Sequence, residues 1–147
     1  MSTDKQFYYT PDEGECVRAS NSYLISLVLM VAGAPIPFVG LFANVMFYLS
    51  NRRASHFVRW HTMQALVSQF SLWAINTVAF WWIWAIAFGD RFIDNNFISY
   101  MITVTVFNIS EMIATIYTVA RTRNGHHVEW WFYSDLTDLI VKPDSLS

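Results

Sequence analysis

Glu111 is the side chain that most needs a chemical explanation, because it is the one charged residue in the run from Phe97 to Ala120. A carboxyl group in an apolar segment can anchor hydrogen bonds, line a polar path or carry a proton. Holding a charge at the middle of a bilayer costs about 2.5 to 3.5 kcal/mol on insertion scales, so such a group is expected to face other protein groups rather than lipid. At 100° per residue, Asn108, Glu111, Thr115 and Thr118 share one helix face, while Ile109, Met112, Ile113 and Ile116 cover much of the rest. The preceding apolar run carries polar positions of its own: His61, Gln64, Ser68 and Ser71 form one seam, and Thr62, Gln69 and Asn76 form a second. Glu111 stands about ten residues from the end of its run, or about 15 Å deep at 1.5 Å per residue, a depth reached near Gln69 and Ser71 from the other side. The expectation is a Glu111 that is protonated or hydrogen-bonded to Ser68, Gln69 or Ser71. Three uses of these seams follow: interhelical glue, a polar path or docking site, and a proton relay. A relay needs several titratable groups in series, and only Glu111 lies at depth.

The four histidines invite a metal or haem reading, which their spacing does not support. His56 and His61 fall at the edge of an apolar run, and His126 and His127 are neighbours beyond another. A bis-histidine haem needs facing ligands near the middle of two spans. No G-x-S-x-G, H-E-x-x-H, phosphate loop or pair of buried aspartates appears. The expectation is a non-enzymatic chain without metal or cofactor. Cys16 is the single cysteine, which excludes an internal disulfide and a thiolate metal cluster. A net charge of -2 gives no footprint for nucleic acid.

The elements that carry these residues are membrane-spanning helices. The 147 residues are 54% hydrophobic and only 14% charged, with seven Trp and twelve Phe, against about 25% charged for a soluble domain. A helix needs about 20 apolar residues to cross about 30 Å of hydrocarbon. Three stretches reach that length: Tyr23 to Ser50, Trp60 to Gly89 and Phe97 to Ala120. The first contains Gly33-Ala34-Pro35-Ile36-Pro37 at its centre. Prolines so placed block helix continuation, so that stretch is either one kinked span or a re-entrant hairpin, and the two place the N-terminus on opposite sides. The polar N-terminal part, residues 1–22, carries Asp4, Asp12, Glu13 and Glu15 without an apolar core and does not read as a cleavable signal peptide.

Lys and Arg near the ends of spans stay cytoplasmic. Arg52, Arg53 and Arg59 precede the second stretch, and Arg121 and Arg123 follow the third, so the loop 51–59 and the C-terminal tail are expected on the cytoplasmic side of an inner membrane. Only Arg91 lies in the opposite loop. With a hairpin as the first element the bias is eight to one; with a span it is six to three. The hairpin is therefore favoured. After Asn124-Gly125, residues Val128 to Ile140 place Val128, Trp131, Phe132, Leu136, Leu139 and Ile140 at helical spacing. This predicts a C-terminal amphipathic helix lying in the membrane interface, with Trp60, Trp130 and Trp131 as interfacial anchors. Its acidic polar face fits docking on a protein partner equally well.

The run Phe57-Val58-Arg59-Trp60-His61-Thr62-Met63-Gln64-Ala65-Leu66 resembles the F-V-R-F-H-x-x-Q-A-L signature of the family that contains the twenty-kilodalton channel component of the chloroplast inner-envelope translocon, Tic, and its small bacterial relatives. Trp60 replaces the family's usual Phe. The resemblance implies a small polytopic inner-membrane protein, with Phe57, Arg59, His61 and Gln64 as signature residues, and a link to protein translocation. It also implies four spans, which this chain has no room for.

The fold expected is thus all-α: a small polytopic helical bundle with two full spans, a Gly/Pro-broken first segment and a C-terminal interfacial helix, in units 1–22, 23–123 and 124–147. The function expected is that of a non-enzymatic subunit or accessory protein of a larger inner-membrane complex, in contact with the bilayer and other integral membrane subunits. A small homo-oligomeric channel or transporter, or a scaffold subunit of a respiratory or photosynthetic complex, fits the same residues.

Overall fold

The computed structural model describes residues 9–32 and 37–141. They form five helices in the order α1 (Glu13–Ala32), α2 (Pro37–Asn51), α3 (His56–Phe88), α4 (Asn95–Arg123) and α5 (Ser134–Ile140), with no strand among the described residues. Two of them, α3 and α4, are long and apolar enough to cross a membrane.

Local chemistry sets the boundaries. At the start of α1 the Asp12 carboxylate accepts from the Glu15 N–H at 2.7 Å, and the Glu15 carboxylate accepts from the Asp12 N–H at 3.0 Å. This reciprocal capping box starts the helix ten residues before Tyr23, inside the part of the sequence read as a polar tail. Pro37 opens α2, a position where its missing N–H costs nothing. The break expected at Gly33 to Ile36 lies outside the described residues. Asp94 caps α4 by accepting from the Phe97 N–H at 2.8 Å. At the other end of α4, Gly125 has φ +78°, and the N–H groups of Gly125 and His126 bond back to the carbonyls of Thr122 and Arg121. That is a Schellman turn, which needs a residue without a Cβ penalty at this φ.

The pairing of levels shows how the helices run. Cys16 and Ala19 of α1 pack on Phe57 of α3, Tyr23 meets His61 and Gln64, and the Ser26 carbonyl meets Gln69. Thus α1 runs alongside α3 in the same direction. Along α2 the order is reversed: Phe38 lies against Trp73, Gly40 approaches Gln69, and Tyr48 packs by Trp60. So α1 and α2 are an antiparallel hairpin whose two outer ends share one end of the molecule with the start of α3 and the end of α4. That shared end carries the arginines flanking the spans and is called the basic end below. Beyond the level of Trp73 to Thr77, the described residues contain only α3 and α4.

The interior is polar and the exterior apolar. Ser20, Ser22, Ser26, Asn44, His61, Gln64, Ser68, Glu111, Thr115, Thr118 and Thr122 are buried, while Val31, Phe42, Phe88, Ile102 and Ile113 are exposed. Exposed hydroxyls on α4 satisfy themselves: Thr103, Thr105 and Ser110 each donate to the carbonyl four residues earlier. Hydroxyls that need no water, set in an apolar surface, suit a lipid environment. The chain is a small helical membrane protein.

The C-terminal segment departs most from expectation. Only Ser134–Ile140 is helical, not Val128 to Ile140. The reason is Gln64, whose amide donates to the Val128 carbonyl at 3.2 Å and accepts from the Trp130 N–H at 3.2 Å. Those backbone groups are therefore spent on a side chain of α3 rather than on a helix ladder. The polar face of α5 turns mostly onto the bundle, leaving Asp135 exposed: Ser134 and Thr137 are buried, and Trp60 Nε1 donates to Asp138 Oδ1 at 2.7 Å. Trp131, Phe132 and Leu139 point outward. Of the three tryptophans expected as interfacial anchors, Trp60 is buried and Trp130 lies inside the fold, its ring stacked on Tyr23 and its indole N–H bonded to Thr118. Trp131, 88% exposed, is the one that faces away from the protein.

Candidate functional site: a polar interior at the basic end

The buried polar residues fall into separate groups, each made by a different set of elements. The most titratable runs from α1 through α3 into the returning C-terminal segment. The Tyr23 hydroxyl accepts from Gln64 Nε2 at 2.9 Å and stands 2.9 Å from His61 Nδ1. With both imidazoles neutral and Glu129 the terminal acceptor, the hydroxyl donates its proton to His61 Nδ1. His61 then carries its own proton on Nε2 and donates to His127 Nδ1 at 3.1 Å, and His127 Nε2 donates to Glu129 Oε1 at 3.1 Å. In this arrangement every donor points toward the Glu129 carboxylate. Trp60 and Phe57 pack edge-on against His61 and exclude water from it. Gln64, with bonds to Tyr23, Val128 and Trp130, is completely satisfied in a buried site.

About one turn beyond Gln64 on α3, Ser68 Oγ donates to Glu111 Oε2 at 2.9 Å, and the Tyr133 hydroxyl donates to Glu111 Oε1. Glu111 is 7% exposed, so its two oxygens are shared between α3 and the C-terminal segment. Burial first, and then the Glu111 carboxyl, hold the Tyr133 hydroxyl well above the usual phenol range, which keeps it a donor.

Ser68 is one of the three residues at the depth expected for a Glu111 partner. The other two do different work. Gln69 bonds to the Ser26 carbonyl of α1 at 3.4 Å, within a seam where Ser26 Oγ donates to Asn44 Oδ1 at 3.0 Å. Ser71 bonds to its own helix carbonyl at Val67 and reaches the Tyr133 hydroxyl. Asn108 does not join Glu111; it exchanges two amide hydrogen bonds of 3.1 Å with Asn76, farther toward the distal end. Thr115 is buried beside Glu111, and Thr118 receives the Trp130 indole. Arg59 is half-buried at the start of α3, and Phe57 is fully buried against Cys16 and Ala19.

Sequence reasoning missed Tyr23, His127, Glu129 and Tyr133. Tyr23 is the first residue of an apolar run, and its hydroxyl was the available hint. The others depend on a fold-back that starts at Gly125, for which the Asn-Gly pair was a stop signal but not a direction. In the structure His61 and His127 are in direct contact, nitrogen to nitrogen, and no group of three or more His, Cys, Asp or Glu among the described residues is arranged to hold a metal ion.

What these groups can do chemically is bind the C-terminal segment to the bundle and hold α1, α3 and α4 in register. Taken with the apolar exterior, they define a helical membrane protein with a polar-packed base. A protein-family profile, described as the magnetosome magnetite crystal formation protein family (MamF/MmsF), matches residues 19–136. The chain belongs to that family. No curated protein and no solved structure matches it.

This overturns the resemblance to the chloroplast translocon family, and the link to protein translocation goes with it. That resemblance took its signature from Phe57 to Leu66, with supporting similarity over roughly residues 23 to 140, whereas the family profile matches residues 19–136. The short run is explained by packing: Phe57 fills the core, and His61 and Gln64 seat the C-terminal segment.

Proposed function

We propose that the protein is a non-enzymatic accessory component of the magnetosome membrane that acts in magnetite crystal formation as part of a larger membrane assembly. The observation that carries this reading is the family match over residues 19–136, which takes in α2, α3 and α4 completely and most of α1. The inverted polarity of the bundle supports residence in a bilayer. The positive-inside rule supports a cytoplasmic basic end, with loop 51–59 and the C-terminal tail on that side. The buried polar groups support a structural use, since Gln64, Glu111 and the Asn76–Asn108 pair each find protein partners.

The test is deletion of the gene in a magnetite-forming host, with crystal size and shape measured by electron microscopy. Smaller or misshapen crystals, restored by the wild-type chain, are expected. Unchanged crystals would overturn the reading. Purification of the tagged protein from isolated magnetosome membrane in gentle detergent should bring down other integral membrane subunits in stoichiometric amounts.

A further inference from the structure

The two ends of the molecule differ in cross-section. At the level of Gln64, α1, α2, α3, α4 and the returning C-terminal segment stand side by side. At the level of Trp82, which packs on Phe97 and Tyr100, the described residues contain only α3 and α4. With each helix about 10 Å across, the basic end displaces about twice the area that the distal end does.

The broad part lies within lipid and is not a domain resting on it. From Trp60 to Phe88, α3 covers about 42 Å at 1.5 Å per residue, which is the thickness of a bilayer including its headgroups. The α1–α2 hairpin and the C-terminal segment sit beside the first half of that length. Away from the rim where Glu13 and Arg18 are exposed, their outward residues are apolar: Val31 on α1, Phe42 and Met46 on α2, Trp131 and Leu139 on the returning segment. These continue the apolar surface that α4 presents through Ile113. Asp135, exposed at the flank of α5, keeps that edge at the headgroups.

Both partial-depth elements therefore enter and leave from the same side, and neither has a counterpart in the opposite leaflet among the described residues. A body that fills more area in one leaflet splays the lipids of a flat bilayer and fits with less strain where its broad side is convex. We propose that the protein is a bilayer wedge that favours strongly curved membrane, its basic end on the convex face and lipid the partner of its outward surface. The inference rests on shape and does not depend on the crystal-formation reading.

The test uses the full chain carrying Asn124→Cys and Cys16→Ala, labelled with a fluorophore at the exposed turn after α4 and reconstituted into phosphatidylcholine–phosphatidylglycerol vesicles of mixed diameter. Single-vesicle fluorescence gives protein density against diameter. Density per unit area should be about threefold higher on the smallest vesicles than on the largest, the sense of dependence expected of a curvature-sensitive insertion. On small vesicles the label should be open to a membrane-impermeant quencher added outside. A density independent of diameter, or a label facing the lumen of the small vesicles, would overturn the proposal. So would a stable homo-oligomer in which neighbouring copies fill the space beside the distal hairpin, because it removes the taper.

Discussion

The basic end and the distal hairpin are built on the same two long helices but are held together by different means. At the basic end, side-chain hydrogen bonds tie α3 to three other helices, α1, α4 and α5, through Gln64, Ser68, Gln69 and Trp60. In the distal half, one reciprocal amide pair, one tyrosine hydroxyl on the Ile75 carbonyl and the Trp82 stack join α3 to α4. Lipid is as apolar as leucine, so burying aliphatic surface gives helices little reason to associate in a membrane. Where a bundle must hold many short pieces together, it needs polar contacts, and the count of such contacts rises with the number of pieces.

If that contrast is right, substitutions at the basic end should matter more. The largest effect is expected for Gln64→Leu, which leaves the Tyr23 hydroxyl, the Val128 carbonyl and the Trp130 N–H without their partner. A loss of about 3 kcal/mol is expected, read as a lower unfolding temperature in detergent and faster proteolysis after Gly125. Glu111→Leu comes next, at about 2 kcal/mol, because it strands the Ser68 and Tyr133 hydroxyls. Glu111→Gln keeps an acceptor for one of them and should cost less than half as much. Equal damage from both, with the fold intact, would show that the carboxyl titrates in the protein's work. In the distal half, Asn76→Leu should cost only about 1.2 kcal/mol, because it removes two hydrogen bonds each worth about 0.6 kcal/mol between membrane helices. A cost as large as that of Gln64→Leu would erase the distinction between the two ends.

The smallest effect sharpens the contrast without a mutation. Cys16 is buried beside Ala19 and Phe57, and burial, followed by the carboxylates of Glu15 and Asp12, pushes its thiol above the usual range. Less thiolate exists at neutral pH, and thiolate is the form that reacts. Maleimide should therefore modify Cys16 slowly in the folded protein and rapidly in denaturant. Gln64→Leu, by loosening the segment that turns at Gly125, should speed the native reaction, whereas Asn76→Leu should not.

The long helices were legible because an uncharged run of bilayer length has few other uses. The depth of Glu111 could be counted from the ends of two such runs, which put Ser68 within reach of it. The start of α1 was not legible for a physical reason. Ser20, Ser22 and Ser26 face the interior of a polar-packed base, so the residues that would mark a soluble tail are the core of this helix. The same inversion hid the C-terminal segment. A helical period was present in Val128 to Ile140, but periodicity says nothing about a backbone whose donors and acceptors are claimed by Gln64. The ten-residue likeness to a translocon family misled because His61 and Gln64 are useful to any bundle that must seat a polar segment at the membrane edge.

The bond from Tyr133 to Glu111 also constrains how the protein is made. The chain is synthesised from its N-terminus, so Glu111 emerges from the ribosome ahead of Tyr133. Ser68, already threaded in α3, is the partner available at that moment. Ser68 thus holds one carboxyl oxygen from within the spans, and the tail completes the site through Tyr133. A chain cut after Gly125 would keep α4 with its carboxyl half-satisfied, a form that a membrane protease could distinguish from the finished protein.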